Sequence, residues 1–251
     1  MSAILLHLLH TQPDPQRLAA WAAHHRLLDS QGDLGYALHA LLRAAFGEHA
    51  PEPFLYLDAA QGLLAYTRLG SAELLQHAAL ADADASAALG LGATANHGGL
   101  SVRPFPSQWP KGKVLSFEVR VRPIIRDGKT GQERDAFLAA VEKTGGVGTD
   151  RAAVYLHWLQ EQLARQGGAE LLDATLDRFR LLDVMRQKQK VDADTPRGRR
   201  AVRGPDAVIN GHLKVADTEA FAQLLSRGVG RHRAFGFGLL LLRPARAEAP
   251  C

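Results

Sequence analysis

Tyr36, His39 and Arg43 are separated by three and four residues, the spacing that places side chains on neighbouring turns of one helical face. A histidine titrates near neutrality, so it can take a proton from a ribose 2′-hydroxyl or return one to a leaving 5′-oxygen. Tyr36 could hold the attacking hydroxyl, and Arg43 could offset the extra negative charge of a pentacoordinate phosphate. The same residues also suit a leucine-rich helix whose histidine merely lines its boundary. The segment alone leaves both readings open.

A second constellation lies near the end of the chain, where Gly228, Gly230, Gly236 and Gly238 surround Arg231, His232 and Arg233 within eleven residues. Glycines admit φ > 0 and close backbone approach, so such a loop can wrap a phosphate chain while the basic side chains add charge. A dinucleotide fingerprint needs a strand before its glycines and a helix after them. Here the order reads helix, glycines, strand, which argues against that motif. A third basic region covers 186–203 with Arg186, Lys188, Lys190, Arg197, Arg199, Arg200 and Arg203. It is too polar for a core and fits a phosphate-binding arm or a solvated hairpin. Arg120 and Arg122 belong to 115–122, where apolar residues alternate with Ser116, Glu118 and the two arginines. That period of two predicts a strand with one basic, wet face.

Other candidates are weaker. His24 and His25 are adjacent and would diverge on a helix, while His7 and His10 share no strand face and match no zinc spacing. No metal and no cofactor is assigned. Trp21, Trp109 and Trp158 read as core rather than as stacking platforms, and Gly90 with Gly92 is only a weak phosphate signal. The 251 residues, 46% of them hydrophobic, suit one large core or two small ones. A net charge of +4 is too small by itself to name nucleic acid as the partner. Cys251 is the one cysteine, which excludes an internal disulfide framework and fits a reducing compartment. The first ten residues are interrupted by His7 and His10 and read poorly as a signal peptide. No apolar run approaches the roughly 20 residues that span a bilayer. A cytoplasmic protein with no membrane contact is expected.

The elements that must position these residues follow from periodicity. Residues 3–9 suit a buried strand, 16–28 and 34–46 suit helices, and the second of these has Asp33 as a candidate N-cap and Gly47 as its stop. Strands are expected at 54–58 and 63–69, a helix at 71–80, and a loose connection over 82–99. The pattern from 100 to 125 is strand-like, Asp127-Gly128 turns the chain, and helices are expected at 134–143 and 151–166. Residues 176–185 are ambiguous between helix and strand. A strand at 207–215, a helix at 218–225 capped by Asp217, and a last strand at 235–242 close the chain. This doubled βαββαβ order predicts an α+β fold of two tandem ferredoxin-like domains with antiparallel sheets and a helical or basic insertion. The expected domains are 1–126, carrying Tyr36 and His39, and 127–251, carrying the basic insertion and the glycine loop.

The segment Tyr36-Ala-Leu-His39-Ala-Leu-Leu-Arg43-Ala-Ala-Phe46 resembles the catalytic helix of the CRISPR repeat-processing endoribonucleases of the CasE branch. Strand 208–215, helix 218–225, Gly228-Val-Gly230 and Phe235-Gly-Phe-Gly238 are similar to that branch's closing strand, helix, glycine-rich loop and strand. Residues 115–123 and the helix of Trp158 fit its middle. The resemblance implies two ferredoxin-like folds that bind the hairpin of a CRISPR repeat transcript and cut its 3′ base without metal. The 2′-hydroxyl would attack the adjacent phosphate and leave a 2′,3′-cyclic phosphate. It further implies that mature crRNA is retained and that other effector-complex subunits, as in a Cascade, are partners. By this carry-over His39 is the general acid/base with Tyr36 as helper, and the glycine loop and nearby arginines clasp the RNA. The extra helix before Tyr36 and the enlarged 169–203 region depart from compact members and suggest relatives attached to type IV systems. Arg43, Arg120, Arg231, His232 and Arg233 are all candidate assistants. Two other classes remain: a non-catalytic subunit that holds structured RNA, and a nucleotide-dependent enzyme built on Gly90 or Gly228.

Overall fold

A computed structural model describes residues 5–27, 34–92, 99–128, 131–187 and 199–245, and of 184–187 and 199–202 the backbone alone. The first unit begins with β1 (Leu6–Thr11), followed by helices α1 (Pro15–His24) and α2 (Gly35–Phe46). It continues with the hairpin β2 (Phe54–Asp58) and β3 (Gly62–Thr67), helices α3 (Ser71–Ala79) and α4 (Ala83–Leu89), and β4 (Ser101–Phe105). The sheet runs β2-β3-β1-β4 with every neighbour antiparallel. Asp14 starts α1 by accepting the Gln16 and Arg17 backbone N–H groups at 2.9 Å, with Pro15 already at a helical φ. Gly47, at φ +60°, stops α2. The expected Asp33 cap lies outside the described residues.

The second unit repeats the plan with β5 (Val114–Val121), a short hairpin β6 (Ile124–Arg126) and β7 (Glu133–Asp135), helices α5 (Ala136–Thr144) and α6 (Arg151–Gln166), and the long strands β8 (Ala169–Gln187) and β9 (Arg199–Val215). Helix α7 (Thr218–Arg227) and β10 (Leu240–Pro244) complete it, in the order β10-β5-β9-β8. Numbered within each unit, both sheets have the order 4-1-3-2, which is the ferredoxin-like arrangement expected. Asp135, Asp150 and Asp217 cap α5, α6 and α7 through the backbone N–H groups of Phe137, Ala153 and Ala220.

The helices of the first unit bury Leu18, Leu38, Leu41, Leu42 and Phe46 against Leu9, Leu63 and Ala65 of its sheet. Each such leucine contributes on the order of 1.5–3 kcal/mol by leaving water. Leu6, Leu55 and Tyr66, on the other face of the same sheet, join the core made by β5, α6 and α7. The Tyr66 hydroxyl donates to the Leu240 carbonyl at 2.8 Å, so the units share one interior rather than hanging on a linker.

Several expectations change. Strand β5 pairs with β9 and β10, so the passage between sheets lies between Phe105 and Val114, whereas a division at 126/127 would cut β5 from its sheet. The loose stretch 82–99 contains α4, which Asp82 caps and Gly90 ends in the left-handed region. The ambiguous 176–185 is strand, because β8 pairs with β9 along almost its whole length. The last strand starts at Leu240 rather than at 235, since Arg233–Phe235 forms a single 3-10 turn. Among the described residues no helix is long and apolar enough to cross a membrane.

Candidate functional site

Helix α2 does what its spacing promised. Leu38, Leu41 and Leu42 point into the core, which leaves Tyr36, His39 and Arg43 on the face turned to the glycine loop. Tyr36 is buried and stacks on Phe235 with ring centroids 5.8 Å apart. The Phe235 and His39 rings also meet edge-to-face, with centroids 5.2 Å apart. The His39 side chain keeps 26% of its surface exposed, so it can reach a ligand, and Arg43 is exposed one turn further along. Burial, and after it the Arg43 guanidinium, hold the imidazole below its ordinary value of 6.5, so at pH 7 it is neutral and able to accept a proton.

The loop 228–238 uses its glycines differently from the expectation. A Cβ on Gly228 would stand 2.9 Å from the Pro53 ring, and one on Gly230 would stand 2.8 Å from the Trp158 indole. On Gly238 it would be 2.4 Å from the Val229 carbonyl oxygen, and all three residues have φ between +73° and +82°. Gly236, at φ +84°, passes over Phe54. The Gly228, Val229 and Gly238 N–H groups donate to the Leu224, Gly238 and Arg120 carbonyls, so they are spent inside the protein. His232 is buried in the left-handed region, with Nε2 2.9 Å from Glu133, and is therefore removed from the set of RNA-facing residues. Arg231 shares Glu133 at 3.0 Å but remains 45% exposed. Arg233 donates to the Arg227 carbonyl at 2.6 Å.

The strand arginines are likewise drawn inward. Arg122, just past the end of β5, is 1% exposed, with its guanidinium under Gly204 and 5.7 Å from the Phe237 ring centroid. Arg120 grips Asp206 through two hydrogen bonds, of 2.8 and 3.0 Å, and lies 4.4 Å from the Phe237 centroid. Neither is a free phosphate ligand, which corrects the wet basic face read from alternation. Burial opposes the charge of Asp206, but hydrogen bonds from Arg120 and Arg180 hold its carboxyl below the usual range. Removing one partner of such a buried pair costs about 3–5 kcal/mol. Of the basic insertion, Arg203 is exposed on β9 opposite Asp183. Arg186, Arg199 and Arg200 lie in the paired strands without described side chains, and Lys188, Lys190 and Arg197 fall outside the described residues.

Two clefts flank α2. One of about 350 Å³ lies between the units at its N-terminal end, walled by Leu34, Tyr56, Arg178, Arg180 and Asp206. The other, about 500 Å³, lies at its C-terminal end and is walled by Arg43, Glu52, Arg68 and Arg227. His39 lies between the helix residues that line them. Sequence reasoning missed Glu52, Phe235, Arg68, Arg178 and Arg180. Phe235 carried a signal, an aromatic residue between two glycine pairs, and Glu52 carried another, an acid fixed between Pro51 and Pro53. The Glu52 carboxylate stands 4.0 Å from His39 Nδ1. Burial pushes its carboxyl up against the opposing pull of Arg233 and Arg43. Among the described residues no group of three or more His, Cys, Asp or Glu side chains is arranged to hold a metal.

A protein-family model described as "CRISPR associated protein" matches residues 6–244. The CRISPR-associated endoribonuclease Cse3 of Thermus thermophilus is 30% identical over an alignment of 150 positions that covers 57% of this chain. That match spans 61% of the relative's own length. A solved structure of CRISPR endoribonuclease Cse3 bound to 19 nt RNA superposes with a TM-score of 0.62 at 22% identity, covering 97% of this chain and all of the other. Thermus thermophilus Cse3 bound to an RNA representing a pre-cleavage complex gives 0.55 at 21% identity, covering 96% of this chain and all of that one. At these identities the two structures speak to the fold, and the fold agrees over nearly the full length.

Proposed function

We propose that this chain, which belongs to the CRISPR associated protein family, is an endoribonuclease that binds the hairpin of a CRISPR repeat transcript and cuts it without metal. The carrying observation is His39: a neutral, part-exposed imidazole beside Arg43, at the junction of α2 and the glycine loop, with a cleft on either side. RNA backbone would cross α2 from one cleft to the other, with Arg178 and Arg180 on one side and Arg68 and Arg227 on the other. His39 takes the 2′-hydroxyl proton as the 2′-oxygen bonds to phosphorus and the bond to the 5′-oxygen breaks. The imidazolium that forms returns this proton to the departing 5′-oxygen, so the proton account closes on His39, no water is consumed and the products are a 2′,3′-cyclic phosphate and a 5′-hydroxyl. Arg43 offsets charge on the pentacoordinate phosphate. Tyr36 serves chiefly through its stack on Phe235, which orients the His39 ring.

Product retention and entry into a multi-subunit effector complex belong to the same reading. They draw support from the family and from exposed Arg203 on the long β8–β9 hairpin, which extends the basic surface. The test is single-turnover cleavage of the cognate repeat hairpin in excess EDTA. Cleavage should persist there and vanish when the nucleotide before the cut is 2′-deoxy. His39→Ala should lower the rate by about 10²–10⁴ while RNA affinity is kept. Full activity in His39→Ala would remove the assigned catalyst. Tight binding of uncut RNA by the unaltered chain would leave a non-catalytic subunit instead.

A further inference from the structure

The Glu52 carboxylate faces the Nδ1 edge of the His39 ring, with Oε1 4.0 Å from Nδ1. Both side chains are partly exposed, at 42% and 26%, so this is no pair sealed in a core. The segment bearing Glu52 is nevertheless fixed. Prolines on either side restrict its backbone, the Pro53 carbonyl accepts the Tyr66 N–H, and the Pro53 ring fills the space a Cβ on Gly228 would occupy. The other charges facing Glu52 are Arg43 on α2 and Arg233 on the glycine loop. Glu48, His49, Arg68 and Arg227 line the cleft beyond it.

We propose that Glu52 is a positioning residue for His39, accepting a hydrogen bond from Nδ1–H so that Nε2 is presented to the RNA. This rests on His39 being the acid–base group of the reading above. A gap of 4.0 Å is too long for a hydrogen bond and closes by rotation of two side chains. Catalytic hydrogen bonds are often long before substrate arrives. The chemistry needs such a partner. With Arg43 beside it and burial against it, a lone imidazole accepts the 2′-hydroxyl proton poorly and holds it briefly. Once the gap has closed on bound RNA, a carboxylate at Nδ1 fixes which nitrogen carries the proton before transfer and stabilises the imidazolium that forms on transfer.

The decisive measurement compares Glu52→Gln with the unaltered chain, each saturated with uncleavable 2′-deoxy repeat RNA, by ¹⁵N imidazole spectroscopy, with the His39 signal identified from its loss in His39→Ala. In the unaltered chain the Nδ1–H tautomer should dominate. In Glu52→Gln that preference should disappear and the ring should titrate at lower pH, because a negative charge that favoured the imidazolium is gone. Single-turnover cleavage should fall about 10–100-fold, with affinity for uncleavable 2′-deoxy RNA kept or improved. Glu52→Asp, which keeps the charge, should restore tautomer and rate part-way, separating this role from loss of packing. Unchanged ring signals in Glu52→Gln would overturn the proposal whatever the rate does. Altered signals with an unaltered rate would overturn it too. An unaltered chain that leaves the repeat uncut, with the tautomer still set by Glu52, would sink the nuclease reading alone.

Discussion

Helix α2 sends its leucines into the core and leaves His39 and Arg43 accessible, whereas loop 228–238 sends almost everything it has back into the protein. Its glycines make room for Pro53, Trp158, Val229 and Phe54, three of its N–H groups bond to internal carbonyls, and His232 is buried on Glu133. Among its larger side chains Arg231, Arg233 and Phe235 stay partly exposed, and Phe235 lies against Tyr36 and His39. Two clusters that look alike in sequence, each rich in groups suited to phosphate, thus divide the work. The helix supplies the groups that would act on RNA. The loop is fixed by its own close contacts and internal hydrogen bonds, which hold the Phe235 ring against Tyr36 and His39.

The contrast breaks most visibly at Gly238. Alanine there forces a side chain into φ +82° and places Cβ against the Val229 carbonyl. The expected cost is about 2–3 kcal/mol, a melting temperature lower by about 4–12 °C, with cleavage declining in step. A loop whose glycines served mainly to approach phosphate would behave otherwise: RNA affinity would drop while thermal stability stayed level. Calorimetry beside an equilibrium binding assay separates the two outcomes.

Phe235 sharpens the comparison at smaller amplitude. It is half-buried, so Phe235→Ala should lower melting by only about 1–6 °C while releasing the Tyr36 and His39 rings. Ring contacts of this kind are worth about 0.5–1.5 kcal/mol, which corresponds to a cleavage rate lower by about 2–12-fold. Affinity for 2′-deoxy RNA should stay constant. A variant that cuts at the full rate would show that the loop delivers nothing to α2.

What could be read in the sequence follows the range of the interactions involved. The doubled βαββαβ order, the cap at Asp217 and the exposed face of α2 are local: each depends on residues within a few positions, and each is found in the structure. Arg120 and Arg122 were misread because alternation reports which face a side chain leaves by, and nothing about what waits there. Asp206 lies 86 residues from Arg120, and Gly204 and Phe237 close over Arg122 only after β9 and the loop have docked. His232 was misread for the same reason, since Glu133 lies 99 residues away. The glycine pattern was visible but ambiguous, because close approach to a ligand and close approach to one's own chain demand the same residue. Glu52 was invisible as a partner of His39 because β2 must pair with β3 before the segment ahead of it reaches α2.

Arg43 offers the finest test of the division, since it separates what α2 does to its own histidine from what it does to RNA. Its guanidinium adds to burial in holding the His39 imidazole low, so Arg43→Gln should let the ring titrate closer to its ordinary value of 6.5. The sign follows directly: with the neutral ring as proton acceptor, activity falls as pH drops through the His39 titration, and raising that titration moves the acid limb to higher pH. At pH 8 both proteins have a neutral ring, so any loss remaining there measures what Arg43 gives the phosphate. Near pH 6 the variant should lose more. A pH–rate profile of single-turnover cleavage for the two proteins reads both effects at once. An acid limb that stays in place would mean that burial alone sets the histidine, and that Arg43 works on the RNA and on nothing else in α2.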